Sequence, residues 1–488
     1  MAPFAHPIST RPFAVQTYSN FVANRFIDDP IEQPCAVLNP ATAEPFASVQ
    51  LASLASVELA VQCAVKAQGP WRRLPAIERA RALHRLADIL QRQASDIGRA
   101  LAQESGKSLA DAYAEVGYGV EVLRYHAEWA RRIEGEIIPS DNPREQLFLH
   151  REPIGVVVCL IPFNFPIYTL LRKIAPALIT GNTVVVRPSN TTPVSALVLA
   201  HALREAALPE GVVNILAMDH GVCAALCQQP GVGMMTLTGS VAAGRQIMGY
   251  AQTHIAKTSL ELGGKTPAIV AADADLQKAA AAIVASRLTH CGQLCTAVER
   301  VLVERSVHDE LLAHIQVLMA QRRWGNRQDN PDFLGPLASE RARQHVHDLV
   351  QRAVGQGAKL ELGGFIPPGP GFFYPPTLLS ACSQDMEIIQ EEVFGPVLAI
   401  MPCDDMAHAL SCANDHQYGL ASVLFTHRHD TVRLFASEIE AGELYVNRTP
   451  ADPYQGYHAG WKRSGLGGDD GKHGMLEFTQ TRLVVMPY

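Results

Sequence analysis

From residue 154 onward the sequence repeats one unit, a short unbroken run of β-branched residues followed by a stretch with helical spacing. "IGVVVCLI" at 154–161 is apolar at nearly every position, which suits a strand covered on both faces, as in a parallel sheet. "PIYTLLRKIAPALITGN" follows as a helix. Pro166 falls in its first turn, Leu170, Leu171, Ile174 and Leu178 share one face, and Gly181 stops it. "TVVVRPS" is the next strand and "TTPVSALVLAHALREAAL" the next helix, with Thr192 expected to cap and Pro193 at the first helical position. "VVNIL", a short helix near 220–228, "MMTLT", a helix from Val241 and "TSLEL" continue the series. Serial strand–helix units predict an α/β fold with a doubly wound parallel sheet. A second series opens at "TPAIVAA" and runs through an Ala-rich helix at 275–290, "ERVLVE" and "SVHDELLAHIQVLMAQRR". The boundary between two lobes is therefore expected near Gly263 and Gly264.

Outside these series, two helices at 55–67 and 77–103 dominate the first third of the chain. "GEIIPSDNPREQLFLHREP" reads as a hairpin turning at Asp141-Asn142-Pro143. "TQTRLVVMP" reads as a lone terminal strand, and an unpaired strand needs a partner, so a contact between subunits is expected. A chain of 488 residues exceeds what one core supports, in agreement with two lobes. Its 48% hydrophobic and 18% charged content suits a soluble globular protein. A net charge of -7 gives no electrostatic reason to bind nucleic acid. No apolar run of about 20 residues is present, so no membrane span is expected. Residues 1–15 lack a basic stretch followed by an apolar one and read as a loose leader, not a signal peptide. Ten cysteines without a repeating spacing read as cytoplasmic thiols, not as a disulfide framework.

Several stretches can carry chemistry. In "IPFNFPIY", Pro162 and Pro166 stiffen the backbone around Asn164 at the carboxyl end of a strand, where open α/β sheets bind ligands. Asn164 either donates its amide to a developing oxyanion or caps the following helix. In "VVVRPSN", Arg187 ends a strand and suits a ribose or phosphate. In "TLTGSVAAGR", Gly239 and Ser240 stand between strand and helix, where free N–H groups can meet a pyrophosphate, although the turn is not a GxGxxG fingerprint. "LELGGK" puts Glu261 at the end of an apolar strand. Burial there is expected to raise its pKa and suit it to act as a base, or it is a buried carboxylate paired with a cation. "THCGQLCTAVER" holds Cys291 and Cys295 where Gly-Gln interrupts a helix. A structural zinc is not expected, because no second pair of ligands with similar spacing lies nearby. A thiol at such a break can be exposed and ionised, and it gains meaning if Glu261 meets it between the lobes.

Taken together, "PFNFP", "LELGGK", "GQLCT", "EEVFGPV" and "YHAGWKRSGLGG", in this order, resemble the aldehyde dehydrogenase superfamily nearly end to end. The resemblance implies two doubly wound parallel-sheet lobes, one for the cofactor (1–130 and 151–262) and one catalytic (263–469). It adds a small oligomerisation element (131–150 and 470–488), and hence a homo-oligomer, dimer or tetramer. It implies Cys295 as nucleophile, Asn164 with the Cys295 N–H as oxyanion holders, and Glu261 as the group that activates water. Cys291 becomes a bystander. NAD or NADP is the implied cofactor, with Arg187, Ser189, Asn190, Gly239 and Ser240 toward its adenosine and diphosphate. Glu392 and Phe394 fall toward its nicotinamide ribose and ring, and Lys265 follows the motif glycines. Within the superfamily, "YHAEWARRIEGEIIPSD", "YVNR" and "QGYHAGWKRSGLGGDDGKHG" resemble the bacterial lactaldehyde/glycolaldehyde dehydrogenase group. His458 matches a substrate-loop histidine of that group, and Asp452 stands where it carries a glutamate. Arg172 matches an arginine that faces a substrate carboxylate in succinate-semialdehyde enzymes.

Three departures from the family pattern bear on function. "RPSN" replaces "KPSE", so Asn190 removes both a partner for the ribose hydroxyls and a repulsion against a 2′-phosphate, which predicts tolerance of NADP. Lys472 stands where a proton-relaying carboxylate is expected, so Glu261 is expected to act with water alone. His290 and Cys291 replace the usual Asn-Ser. The expected activity is NAD(P)-dependent oxidation of a small hydroxyaldehyde. The alternatives are a carboxylated or sulfonated semialdehyde held by Arg172 and Arg448, a thiol esterase without cofactor, and a silent structural protein on the same fold.

Overall fold

The structure is a computed structural model that describes residues 16–29 and 34–488; the leader at residues 1–15 lies outside the described residues. The first repeat series builds an eight-stranded sheet. In spatial order its strands are Gly465–Leu466, Lys257–Leu262, Val232–Gly239, Val156–Leu160, Thr183–Arg187, Val213–Ile215, Asn20–Val22 and Arg25–Ile27. The five central strands run parallel, and every residue of Val156–Leu160 is buried, as an unbroken apolar run requires.

The second series builds a seven-stranded sheet in the order Lys359–Leu362, Thr377–Ser380, Val397–Cys403, Arg300–Glu304, Pro267–Val270, Ala421–Phe425, Glu443–Val446. Only its Lys359–Leu362 edge is antiparallel. The chain changes sheets between Leu262 and Pro267, across Gly263-Gly264. A Cβ on Gly263 would come within 2.3 Å of the Glu392 carboxylate, and one on Gly264 within 2.6 Å of the Cys295 carbonyl oxygen. The crossing is therefore glycine because the nucleophile loop and the Glu392 loop close directly over it.

Several local expectations change. The helix Leu109–Ala127 joins Leu54–Arg73 and Ala76–Ser105 in the first third, and was not anticipated. Thr192 does not cap its helix. Pro193 takes the cap position, Thr192 Oγ1 donates to the Phe163 carbonyl at 3.2 Å, and the first free amides, Val194 and Ser195, donate to the Glu104 carboxylate at 2.7 and 3.1 Å. A carboxylate from a distant helix does what the local threonine was expected to do, and it also meets the positive helix end. The terminal strand Thr479–Pro487 is not lone either. It pairs antiparallel with Glu145–Pro153 at nine positions, and Glu136–Ile138 completes a three-stranded sheet.

Candidate active site

Parallel strands set their carboxyl ends at one edge, and the first sheet uses that edge for four of the expected groups. Leu160 pairs with Leu237 and Arg187, and Thr238 pairs with Glu261. The ends of these strands and the turns after them therefore bring Arg187, Gly239 and Glu261, with Asn164 and Ser240, to a common rim.

Asn164 is buried, and its Nδ2 donates to the Gln293 carbonyl at 2.9 Å, so it faces the nucleophile loop and does not cap the helix Pro166–Ile179. That helix start is served by Glu115, which accepts from the Ile167 and Tyr168 amides at 2.9 and 3.2 Å. Lys107, ion-paired to Glu115, donates to the Asn164 carbonyl at 2.6 Å and lies 3.7 Å from the Phe165 ring centre. A buried ion pair thus clamps the backbone at Asn164 and just after it.

The two thiols lie beyond the end of the Ala-rich helix. The Ala-rich helix ends at Leu288, and His290, Cys291 and Gly292 follow with φ of 46°, 57° and 73°. Left-handed conformations at two non-glycine residues in sequence are costly and persist only where the surroundings impose them. Arg287 donates to the Gly292 carbonyl, while the Gln293 side chain donates to His290 O at 3.1 Å and accepts from Ala338 N at 2.9 Å. Cys291 is 1% exposed inside the core with its thiol pushed up by burial, whereas Cys295 is half-buried. His290 packs edge-on against Phe165.

Cys295 Sγ, a Glu261 carboxylate oxygen and a ring nitrogen of His458 all lie within 4.8 Å of one another. His458 is 1% exposed, not a surface-loop residue. It reaches the site because Gly465–Leu466 adds to the first sheet beside Leu260 and Glu261, and because His458 and Asp469 exchange backbone hydrogen bonds of 3.0 and 2.9 Å. Its Nε2 stands 3.3 Å from Glu261 Oε1, and its Nδ1 stands 2.9 Å from Glu443 Oε1 and 3.7 Å from Asp452 Oδ2.

Burial alone would neutralise the imidazole, but Asp452 and Glu443 outweigh it and raise its pKa well above the ordinary value. The same pairing reverses the expectation for Glu261. Burial pushes its carboxyl up, but the hydrogen bond and charge of His458, with Arg172 and Lys173, hold it at about 2. The Cys295 thiol is raised by burial and by the Glu261 charge, with His458 opposing.

Lys472 is exposed and has no part in the site. The carboxylates sit at Asp469 and Asp470 instead. Lys173 Nζ bonds Asp469 Oδ2 and Thr236 Oγ1, both at 2.9 Å, and its charge helps to hold the Glu261 carboxyl down. Arg172 is not a free cation. It is buried, bonded to Asp470, and 3.9 Å from both Asp469 and Asp452. Burial lifts Asp470 to about 6 against the pull of Arg172. Arg448 is exposed and donates to Thr449 O at 3.3 Å.

The cofactor rim is built differently. Ser240 caps the helix Val241–Ala251, accepting from Ala243 N at 3.2 Å. Ser189 Oγ accepts from Thr191 N at 3.2 Å. Arg187 spans to the Met218 carbonyl at 3.4 Å, and its Nε, Asn190 Oδ1 and Thr238 Oγ1 are buried with no hydrogen-bond partner among the described residues. Orphaned polar atoms beside a helix N-terminus fit a phosphorylated, hydroxylated ligand such as a dinucleotide. Glu392 Oε1 accepts from Gly264 N at 3.0 Å, and burial with the Glu299 charge lifts its carboxyl to about 8. Phe394, at φ 53°, packs edge-on to Phe163 at 5.8 Å.

Sequence reasoning missed Glu299. It pairs with Lys265 at 2.6 Å and Arg287 at 3.0 Å, and accepts from the Val393 and Phe394 amides at 2.9 and 3.0 Å. Lys107, Glu115 and Glu443 were missed as well. Each looks ordinary in its own stretch and gains meaning only across the fold.

A thiol, a buried carboxylate and a buried amide donor thus gather at the rim of a dinucleotide-type sheet. The chain belongs to the aldehyde dehydrogenase family, whose sequence profile ("Aldehyde dehydrogenase family") matches residues 26–484. It is 42% identical to the lactaldehyde dehydrogenase of Escherichia coli (strain K12) over 452 residues, 92% of this chain and 94% of that one. It is 37% identical to the 3,6-anhydro-alpha-L-galactose dehydrogenase of Vibrio sp. (strain EJY3) over 96% of this chain and 98% of that one. The crystal structure of lactaldehyde dehydrogenase from Escherichia coli superposes with a TM-score of 0.96 at 40% identity, covering 97% of this chain and all of that one.

Proposed function

We propose that this NAD(P)-dependent aldehyde dehydrogenase oxidises a small hydroxyaldehyde of the lactaldehyde or glycolaldehyde type to its carboxylate. The observation that carries this reading is the His458 cluster. Around it Glu261, Glu443, Asp452, Asp469 and Asp470 outnumber Arg172, Lys173 and His458. Such a mouth offers acceptors and an imidazole to a substrate hydroxyl, while its surplus of negative charge repels a carboxylate or sulfonate tail. Arg172, the cation that an anionic tail would need, is already spent on aspartates.

In this reading Cys295 adds to the aldehyde carbon as its thiol proton passes by way of Glu261 to solvent, which leaves the carboxylate ionised again for the later step. The developing oxyanion takes the second Nδ2 hydrogen of Asn164 and the Cys295 N–H. Lys107 and Glu115 hold Asn164 in place for this. NAD or NADP, when bound, accepts the hydride that turns the thiohemiacetal carbon into a thioester. Glu261 then takes a proton from water, which attacks the thioester and frees the acid. Its low pKa keeps it unprotonated at neutral pH. Arg187, Ser189, Asn190, Gly239 and Ser240 would hold the adenosine and diphosphate, and Glu392 and Phe394 the nicotinamide end. Residues 1–130 and 151–262 serve as the cofactor domain, and 263–469 as the catalytic domain.

No helix among the described residues is long and apolar enough to cross a membrane. We place the enzyme in the cytoplasm, in keeping with ten free thiols, and as a homo-oligomer joined through 131–150 and 470–488. Ile137, Leu483, Val485 and Met486 expose apolar surface on that small sheet, whose two outer strands have an open edge.

The test is formation of reduced cofactor with lactaldehyde, glycolaldehyde and succinate semialdehyde, each with NAD and with NADP. The hydroxyaldehydes should lead by at least tenfold in kcat/KM. A lead for the semialdehyde would replace this reading with the anionic one. Ester cleavage without any reduced cofactor would point to the esterase.

A further inference from the structure

We infer that the crevice between Glu261, Cys295 and His458 is also a zinc site, and that zinc bound there shuts the enzyme off reversibly. The inference rests on the same residues as the catalytic reading but asks something different of them.

Zinc takes thiolate, imidazole and carboxylate ligands at about 2.0–2.3 Å in a tetrahedron, which places ligand atoms about 3.3–3.8 Å apart. Here all three donor atoms lie within 4.8 Å of one another, and the His458–Glu261 edge already measures 3.3 Å. Small rotations of three side chains would complete the site, with no backbone movement. The backbone is in any case fixed. His458 is bonded on both sides to Asp469, Glu261 lies in a sheet strand paired with Gly465, and the Cys295 loop is pinned through Gln293.

The outer contacts fit as well. Metal-bound histidines generally give their second ring nitrogen to a carboxylate, which fixes the ring and raises its basicity. His458 does this already through Nδ1 to Glu443 at 2.9 Å, with Asp452 behind it. The surplus of carboxylates around the site favours a dication. The mixed sulfur, nitrogen and oxygen set selects a borderline ion such as zinc over magnesium or calcium. An aldehyde must reach the same Cys295 sulfur that the ion would hold. Binding releases the thiol and imidazolium protons to solvent and changes no oxidation state. It removes nucleophile and base together, so zinc should compete with aldehyde and a chelator should restore activity.

The experiment is a titration of the chelator-treated, full-length enzyme with cobalt(II), read by absorbance, followed by displacement with zinc. One cobalt per chain is expected, with visible bands of tetrahedral intensity and a thiolate-to-cobalt charge-transfer band. Cys295→Ser should remove the charge-transfer band and Cys291→Ser should keep it. Glu443→Gln should weaken zinc binding roughly tenfold. Retained binding of the dinucleotide, read by its fluorescence, certifies that each variant is folded.

Three results would overturn the inference: no saturable binding, loss of the band in Cys291→Ser, or a weak octahedral spectrum untouched by Cys295→Ser. The last would move the ion to the other face of the ring, among His458 Nδ1, Glu443 and Asp452. Any of these leaves the dehydrogenase reading standing as long as the same preparation oxidises aldehyde. Aldehyde oxidation surviving in Cys295→Ser would sink the catalytic reading instead.

Discussion

The two sides of the crevice solve opposite problems. On the cofactor rim, Arg187, Asn190 and Thr238 keep buried polar atoms with no hydrogen-bond partner among the described residues. On the aldehyde side most charged groups are paired: Arg172 with aspartates, Lys173 with Asp469, His458 with Glu261 and Glu443. A rim with unmet hydrogen bonds gains by binding a large polar ligand that stays through the chemistry. A cluster of paired charges, in which only Arg172 Nε and Asp470 Oδ1 lack a hydrogen bond among the described residues, holds its geometry without a ligand and discriminates by charge, which suits a small substrate that must enter and leave. Shape is pre-set on the substrate side; on the other it awaits the dinucleotide.

The sharpest way to break this picture is at the sulfur. Cys295→Ser should lower kcat by about 10⁴ or more, and Cys291→Ser by less than about threefold, measured as initial rates. The reverse pattern would exchange the two assignments. Next in size, Glu261→Gln should give a burst of one reduced cofactor per site followed by turnover slowed about 10²–10⁴-fold. Steady turnover at the native rate would remove Glu261 from its role.

A third prediction concerns pH. His458 is the first partner that holds Glu261 down, so His458→Gln should raise the Glu261 pKa. The acid limb of the kcat profile should then move to higher pH, by about one unit or more, equal to ~1.4 kcal/mol per unit. An unmoved limb would show that the imidazole does not govern the carboxylate. Smaller again, Asp452→Asn removes one negative group from the mouth, and should narrow the lead of lactaldehyde over succinate semialdehyde by roughly 3–10-fold, a gap of ~1 kcal/mol. The least change is expected from Asn190→Glu, which restores a ribose acceptor and should shift kcat/KM toward NAD by several-fold. Indifference to the cofactor there would mean that Asn190 does not face the ribose.

Much of this was legible in the sequence, for physical reasons. Buried parallel strands announce themselves as β-branched runs, and their ends carry Arg187, Gly239 and Glu261, with Asn164 in the turn after one of them. What local spacing could not show was where a side chain finds its partner. The helix Leu109–Ala127 was missed because Gly117 and Gly119 weaken its pattern; Gly119 is there because Leu171 occupies the space of a Cβ, at 2.4 Å. Thr192 looked like a cap, but a carboxylate 90 residues away, Glu104, takes the amide of Val194. Glu261 looked like a base raised by apolar surroundings, because His458, 197 residues further on, leaves no trace in the strand it joins.

Glu299 ties together two things usually treated apart. Through Val393 and Phe394 it anchors the lip expected to press on the nicotinamide ring, and through Arg287, which holds the Gly292 carbonyl, it anchors the turn beneath the reacting sulfur. On the proposed mechanism, a disturbance of that single carboxylate would travel to both partners of the hydride step at once. Selection acting on dinucleotide grip and selection acting on thiol reactivity therefore meet at one buried side chain, and neither property is free to drift without the other.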